Sequence, residues 1–408
     1  MKKKIYLIII SLIIFQSIFT TCYSQELPSG PEVTSQGCLL MDLDSGQVLF
    51  SKNIHERFYP ASTTKILTAL IVLEKCSLSE TVTVGEDPPY IDGTKIYLYK
   101  DEQLTVEQLL YAMMLESAND CAEALAEHIS GSVEAFAELM NQRARELGCT
   151  DSNFVNPHGL HDDNHYTSVW DLALIAKEAM KNPEFRKIVS TRSSQIPPTN
   201  RQPQLRYMNN LNKLLFYGEH YYKGVDGIKT GYTSQAKNTL VASCMRDDLH
   251  LMGVFLNCSS GVYTDAKNLF DYGFSNYSSK KLLDLEQSVS TVFLKGSSES
   301  VDLYPAENLS VAVPKGTEPK ISEKVTLTSD FSQLSAGDEV GYIEVNIDDN
   351  DTYKVGLITH TDYENTSDTF SQYNKTDYLK YLKWIIPSGI FMCIMFVTIK
   401  KYKKSRFS

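Results

Sequence analysis

Between Cys38 and Asn53 the stretch "CLLMDLDSGQVLFSKN" carries two short apolar runs broken at Asp44-Ser45-Gly46. That pattern predicts two strands joined by a tight turn. Directly after it, "PASTTKILTAL" (Pro60–Leu70) places Ile66, Leu67, Ala69 and Leu70 at the apolar positions of a helix beginning near Ser62. A helix-rich middle follows, because "TVEQLLYAMMLES", "DCAEALAEHIS", "VEAFAELMNQRARELG" and "SVWDLALIAKEAMK" all repeat apolar residues at helical spacing. Gly148 is placed to stop the third of these. Strands return at "NTLVASCMRDD" and "LHLMGVFLNCSS", turning around Asp247 and Asp248, and "YTDAKNLFDYGFSNY" is a further helix. Strands on both sides of a helical insertion predict an α+β body, a mixed sheet covered by helices.

From about Lys280 to Asp362 the pattern changes to short strands separated by Gly, Pro and Asp turns: "VSTVFL", "LSVAVP", "KVTLTS", "EVGYIEV" and "YKVGLIT". This predicts a small all-β module. The polar run "HTDYENTSDTFSQYNKTDY" then reads as a linker.

The two ends have a different character. Lys2, Lys3 and Lys4 precede an apolar run from Ile5 to Phe15, the basic and apolar regions of a secretory signal, with cleavage expected before Gln25. Lipidation at Cys22 is the alternative. Near the other end the run from Trp384 to Ile399 reaches the roughly 20 residues of a membrane span once Leu379, Tyr381 and Leu382 are counted, although Lys380 and Lys383 interrupt that extension. Lys400, Lys401, Lys403, Lys404 and Arg406 follow and would hold the tail in the cytoplasm. A helix lying in the membrane interface, favoured by Pro387, is the alternative. The expected organisation is therefore a signal segment (1–24), a catalytic body (25–279), a β domain (280–362), a linker (363–380), a membrane anchor (381–399) and a basic tail (400–408). The body would sit on the outer side of the cell membrane on a single span.

A formal net charge of -11, with no basic stripe in the body, argues against nucleic acid as a partner. Cys38, Cys76, Cys121, Cys149, Cys244 and Cys258 are scattered singly and show neither paired nor metal-like spacing, so they read as mostly buried free thiols. His158, His161 and His165 in "HGLHDDNH" are the one metal-ligand candidate, but their setting reads as a loop rather than a metal-binding helix. No metal or cofactor is expected.

Three short motifs carry the chemistry. Ser62 and Lys65 lie three residues apart, neighbours on a helix face. A buried lysine at that spacing can lose its proton and serve as base to a nucleophilic serine, and backbone N–H groups at the helix start can stabilise an oxyanion. A capping serine beside a solvated lysine explains the same spacing, and Ser234–Lys237 and Ser278–Lys281 match it too. The second motif, Ser117-Ala118-Asn119, falls between two helices, where Ser117 could relay a proton and Asn119 hold an amide; a helix cap is the alternative. The third is Lys229-Thr230-Gly231, followed by Tyr232 and Thr233. A lysine and hydroxyls on an edge strand can hold a carboxylate, with Gly231 leaving room for close approach.

Each motif alone is weak. Together, in this order and these local settings, they form the set found in class A β-lactamases and penicillin-binding proteins. The chain resembles the serine-type D-alanyl-D-alanine carboxypeptidases, low-molecular-mass penicillin-binding proteins. "NFVNPHGLHDDNHYTSVWDLALIAKEAM" and "GVDGIKTGYTSQAKNTLVAS" extend the likeness, which covers nearly everything from Gly37 onward. It departs at Lys237-Asn238, where relatives commonly have glycine and a small residue.

The resemblance implies an antiparallel sheet covered by helices, followed by a small β domain and a C-terminal membrane helix. It implies a substrate, the peptidoglycan stem peptide ending in D-Ala-D-Ala, and inhibition by β-lactams. It also implies roles: Ser62 as nucleophile, Lys65 as base and Ser117 as proton relay. Asn119 would hold the peptide amide, and Lys229, Thr230 and Thr233 the terminal carboxylate. Backbone N–H groups of Ser62 and Tyr232 would form the oxyanion hole. Two rival readings remain: a β-lactamase of the same fold, for which no Glu-x-x-Leu-Asn setting is found, and an inactive wall-binding scaffold.

Overall fold

The computed structural model describes residues 30–293, 300–328, 333–348 and 351–364. The expected signal segment, membrane anchor and basic tail, and all but the start of the linker, lie outside the described residues. Among the described residues no helix is long and apolar enough to cross a membrane. The chain divides into two compact units, the first comprising residues up to Lys280 together with Ser310–Glu318, the second the remainder.

The first unit is built on five strands: β1 (Gly37–Asp42), β2 (Val48–Lys52), β3 (Val225–Thr233), β4 (Lys237–Arg246) and β5 (Leu249–Cys258). Their order is β2-β1-β5-β4-β3. Every neighbouring pair runs antiparallel, so the sheet is not mixed as the bare element pattern suggested. The pattern showed which segments are strands but not their directions, which follow from β1 pairing with the distant β5. Asp247 and Asp248, both at positive φ, make the two-residue turn between β4 and β5.

The sheet is buried on both faces. Alternation along β1 sends Leu39 and Met41 to one face and Cys38 and Leu40 to the other, into separate apolar clusters. The first face is covered by α1 (Lys65–Lys75), α2 (Val106–Leu115), α3 (Asn119–Ser130), α4 (Val133–Glu146), α5 (Val169–Lys181) and α6 (Pro183–Ser190). The sixth of these helices has too short a pattern to be expected from the sequence. On the second face lies α7 (Val262–Asn276), which packs Ala266, Leu269 and Phe270 against Leu240 and Phe255.

Helix boundaries follow local chemistry. Thr105 and Gln108 form a capping box that starts α2. Gly148, at φ +87, ends the α4 segment where a residue with a Cβ would be strained.

The second unit contains a five-stranded antiparallel sheet in the order Ser290–Phe293, Ser300–Pro305, Asp351–Ile358, Glu339–Ile347, Ile321–Leu327. "LSVAVP" (Leu309–Pro314) does not join it. Its strand pairs with Tyr277–Leu283, and the Ala312 N–H donates to the Asp42 carboxylate at 3.0 Å. Alternating apolar residues predict a strand but do not say which sheet accepts it.

Candidate active site

Ser62 does not cap a helix. Ala61–Thr64 forms a tight 3₁₀ turn, and α1 begins only at Lys65, with Thr64 at its cap making no side-chain cap bond. The Thr63 hydroxyl donates to the Pro60 carbonyl at 2.7 Å and the Thr64 hydroxyl to the Ala61 carbonyl at 2.9 Å, so the turn is fastened by its own threonines. Ala61 sits at φ +48, an unfavourable conformation for a residue with a Cβ that the surrounding packing holds in place.

Lys65 is fully buried, and its Nζ has three oxygen neighbours: Asn119 Oδ1 at 2.7 Å, the His158 carbonyl at 2.7 Å and Ser62 Oγ at 3.1 Å. Among the described residues no carboxylate lies within ion-pair distance. Burial, and next the charge of Lys229, hold its ammonium well below the usual lysine range. In the neutral form two N–H groups serve Asn119 and His158, and the lone pair is left facing the Ser62 hydroxyl. That is the arrangement a general base requires.

The loop between α2 and α3 brings in the second motif. Ser117 is buried at φ +61, with its carbonyl accepting from the Thr94 hydroxyl at 2.7 Å. Asn119, rather than capping α3, accepts from Lys65 and donates from Nδ2 to the Asp92 carbonyl at 2.7 Å. Gly93, at φ +84, lets that segment pass close; a Cβ there would lie 2.6 Å from Asn119 Nδ2.

Lys229 lies on β3, the edge strand nearest the 3₁₀ turn, buried and donating to the Thr230 carbonyl at 3.0 Å. Burial alone pushes its ammonium down to about 7. A Cβ on Gly231 would stand 2.8 Å from Ser62 N and 2.4 Å from Thr239 Oγ1, so glycine is what allows β3 to lie against the serine backbone. The Thr239 hydroxyl donates to the Pro60 carbonyl at 2.9 Å, tying β4 to the same turn. The Thr233 hydroxyl accepts from the Ala236 N–H at 2.9 Å, and Tyr232 is exposed.

These groups border a cleft of about 460 Å³ lined by Ser62, Ser117, Asn119, Thr230, Tyr232 and Thr233, among others. Lys65 and Lys229 stand behind that lining. Lys213 also lines the cleft, a cation the motif reading did not pick out.

The loop around "NPHGLHDDNH" also contributes, although among the described residues its three histidines do not gather into a cluster of ligand atoms. The Thr68 hydroxyl donates to the Pro157 carbonyl at 2.6 Å, and the His158 carbonyl accepts from Lys65. His165 is buried, its Nδ1 accepting from the Val155 N–H at 3.1 Å and its Nε2 lying 2.8 Å from the Thr64 hydroxyl. Since that hydroxyl donates to Ala61, Nε2 carries the proton, and burial pushes the imidazole down to about 3. His158 is likewise held well below its usual range by burial and by Lys65. The only sequence signal for this support was the histidine spacing itself.

A family model described as D-alanyl-D-alanine carboxypeptidase matches residues 24–260, and one described as penicillin-binding protein 5, C-terminal domain, matches residues 277–365. The chain is 32% identical over 317 residues to the D-alanyl-D-alanine carboxypeptidase DacF of Bacillus subtilis, covering 75% of this chain and 80% of that protein. It is 32% identical over 345 residues to DacA of Haemophilus influenzae, covering 80% and 84%. Among solved structures it is similar to penicillin binding protein 5 from Haemophilus influenzae, with a TM-score of 0.66 and 31% identity over 82% of this chain and 99% of that one. The Streptomyces K15 DD-transpeptidase superposes with a TM-score of 0.57 at 30% identity, covering 60% of this chain and 99% of the other. With the first model spanning more than half of its length, the chain belongs to the D-alanyl-D-alanine carboxypeptidase family.

Proposed function

We propose that this protein is a serine D-alanyl-D-alanine carboxypeptidase that removes the terminal D-alanine from peptidoglycan stem peptides. The observation that carries the reading is the Lys65 amine, buried, with no carboxylate in ion-pair reach among the described residues and 3.1 Å from the Ser62 hydroxyl, which lines an open cleft.

In this reading the lone pair of Lys65 takes the Ser62 proton as Oγ attacks the carbonyl between the two D-alanines. The resulting oxyanion is met by the backbone N–H groups of Ser62 and Tyr232, which the missing Cβ of Gly231 lets approach each other. Ser117 passes the proton to the departing D-alanine, and Asn119 holds the peptide amide while orienting Lys65. Protonated Lys229, with Thr230 and Thr233, attracts the terminal carboxylate. Water then releases the acyl-enzyme. β-Lactams would acylate Ser62 by the same route.

The amino-terminal apolar segment would direct export, and residues 381–399 would anchor the body on the outer face of the membrane. The support for this is the basic-then-apolar pattern at one end and the apolar-then-basic pattern at the other.

The test is incubation with a fluorescent penicillin followed by peptide mapping, alongside D-alanine release from a stem pentapeptide. Label on Ser62, lost in Ser62→Ala together with D-alanine release, is the expected result. Label elsewhere would overturn the reading. Rapid turnover of the penicillin would favour the β-lactamase instead.

A further inference from the structure

Away from the cleft, three residues from two segments distant in sequence converge at the far ends of two of its helices. Cys76 is the residue that ends α1, and His128 lies in the last turn of α3. Glu80 follows Cys76 by one turn of loop, closed by the Glu80 N–H donating to the Ser77 carbonyl at 3.0 Å. One donor atom from each of Cys76, Glu80 and His128 lies within 4.8 Å of the other two, and His128 Nε2 is 2.8 Å from Glu80 Oε1. We propose that this trio is a binding site for a zinc-class divalent cation, with water as the fourth ligand.

The donor set is what selects the cation. A thiolate, an imidazole and a carboxylate suit a borderline-soft metal such as Zn²⁺, whereas Mg²⁺ and Ca²⁺ prefer oxygen ligands throughout. Bonds of about 2.0–2.3 Å to a central ion need donors roughly 3–4 Å apart, so the observed cluster closes on a metal by side-chain adjustments of about 1 Å. The other five cysteines of the body are buried, whereas Cys76 and His128 are half-buried and Glu80 is exposed, leaving an approach for the ion and its water.

On binding, Cys76 Sγ–H gives up its proton to solvent and the thiolate bonds the metal. A carboxylate only accepts, so in the metal-free pair His128 Nε2 carries the proton; the metal takes that nitrogen, and the ring proton moves to Nδ1.

The location gives the site a consequence. α1 and α3 run parallel, their first residues joined by the Lys65–Asn119 bond at 2.7 Å. With 11 and 12 residues they extend about 16–18 Å from that bond. A metal at Cys76, Glu80 and His128 would fasten the opposite ends of the same two helices, clamping the pair that carries Lys65 and Asn119, directly after the turn that holds Ser62.

The test uses the purified full-length chain, stripped with chelator and titrated with Co²⁺. The expected result is a thiolate-to-cobalt charge-transfer band saturating at one equivalent and bleached by Zn²⁺, lost in Cys76→Ser and weakened at least tenfold in affinity in His128→Gln. In the unmodified chain, Zn²⁺ should slow alkylation of Cys76, read by peptide mapping, and raise the unfolding temperature. No charge-transfer band, a band unchanged in Cys76→Ser, or alkylation of Cys76 at the same rate with and without Zn²⁺ would overturn the proposal and leave a simple His128–Glu80 pair.

Discussion

Lys65 Nζ lies 2.7 Å from Asn119 Oδ1, joining the first residue of one helix to the first residue of another 54 positions later in the chain. This bond gives the buried amine a fixed direction. With a second N–H committed to the His158 carbonyl, the remaining position on nitrogen can only face Ser62.

Replacing Lys65 with methionine keeps most of the buried volume and removes the lone pair. Penicillin acylation of Ser62 should fall by about 10²–10⁴-fold, the usual worth of a positioned base. Asn119 Oδ1 and the His158 carbonyl lose their shared donor, an expense of about 1–3 kcal/mol for each group left unsatisfied. Stopped-flow acylation rates and denaturant unfolding measure the two effects separately.

The two lysines should give kcat/KM opposite pH limbs. Lys65 must be neutral to act as base, so activity rises with pH through its depressed value. Lys229 must be protonated to attract a carboxylate, so activity falls as pH passes about 7 in the free enzyme. Lys229→Arg, whose guanidinium keeps its proton, should lower the maximum but remove the falling limb. A pH profile of D-alanine release in both proteins checks this.

Gly231→Ala should impair the site without removing any functional group. Its methyl would meet Ser62 N and Thr239 Oγ1 at 2.8 and 2.4 Å, so β3 must withdraw from the turn. A displacement approaching 1 Å costs on the order of 10²-fold in rate, and the overpacking about 1–3 kcal/mol. The measurement is the acylation rate together with the unfolding midpoint; an unchanged rate would contradict the close approach.

Acid should destabilise the first unit through its buried histidines. His165 stays neutral in the fold down to about pH 3, whereas in the unfolded chain it takes a proton below about 6.5. The unfolded state therefore binds more protons in that window, and stability falls as pH is lowered through it, by at most about 1.4 kcal/mol per pH unit for this residue. His158 adds a shift of the same sign. His165→Gln should flatten the slope of unfolding free energy against pH between 6.5 and 4.

Much of the body was legible in the sequence because its signals are local. The hairpin turns at Gly46 and at Asp247-Asp248, and the periodic segments that became α1 to α5 and α7, depend on residues a few positions apart. The Leu309–Pro314 strand reads the same whether it joins one sheet or another, so its partner was not legible. Nor was the scaffold of the site. The spacing of His158 and His165 drew notice as possible metal ligands, yet one supplies a backbone carbonyl to Lys65 and the other braces Thr64. Cys76, Glu80 and His128 show no ligand spacing because two chain segments 48 residues apart have to meet before they form a cluster.

By itself the sequence determined which residues could do chemistry: a hydroxyl three positions before an amine, a Ser-x-Asn loop between helices, and a lysine two residues before a glycine on a strand. Only the tertiary structure decided what they are able to do. The proton on Lys65 is set by burial first and then by Lys229 more than 160 residues away, and Ser62 is free to react because two threonines, not the serine, fasten the turn. Charge state and availability depend on what surrounds a group in space, and spacing along the chain carries no record of that.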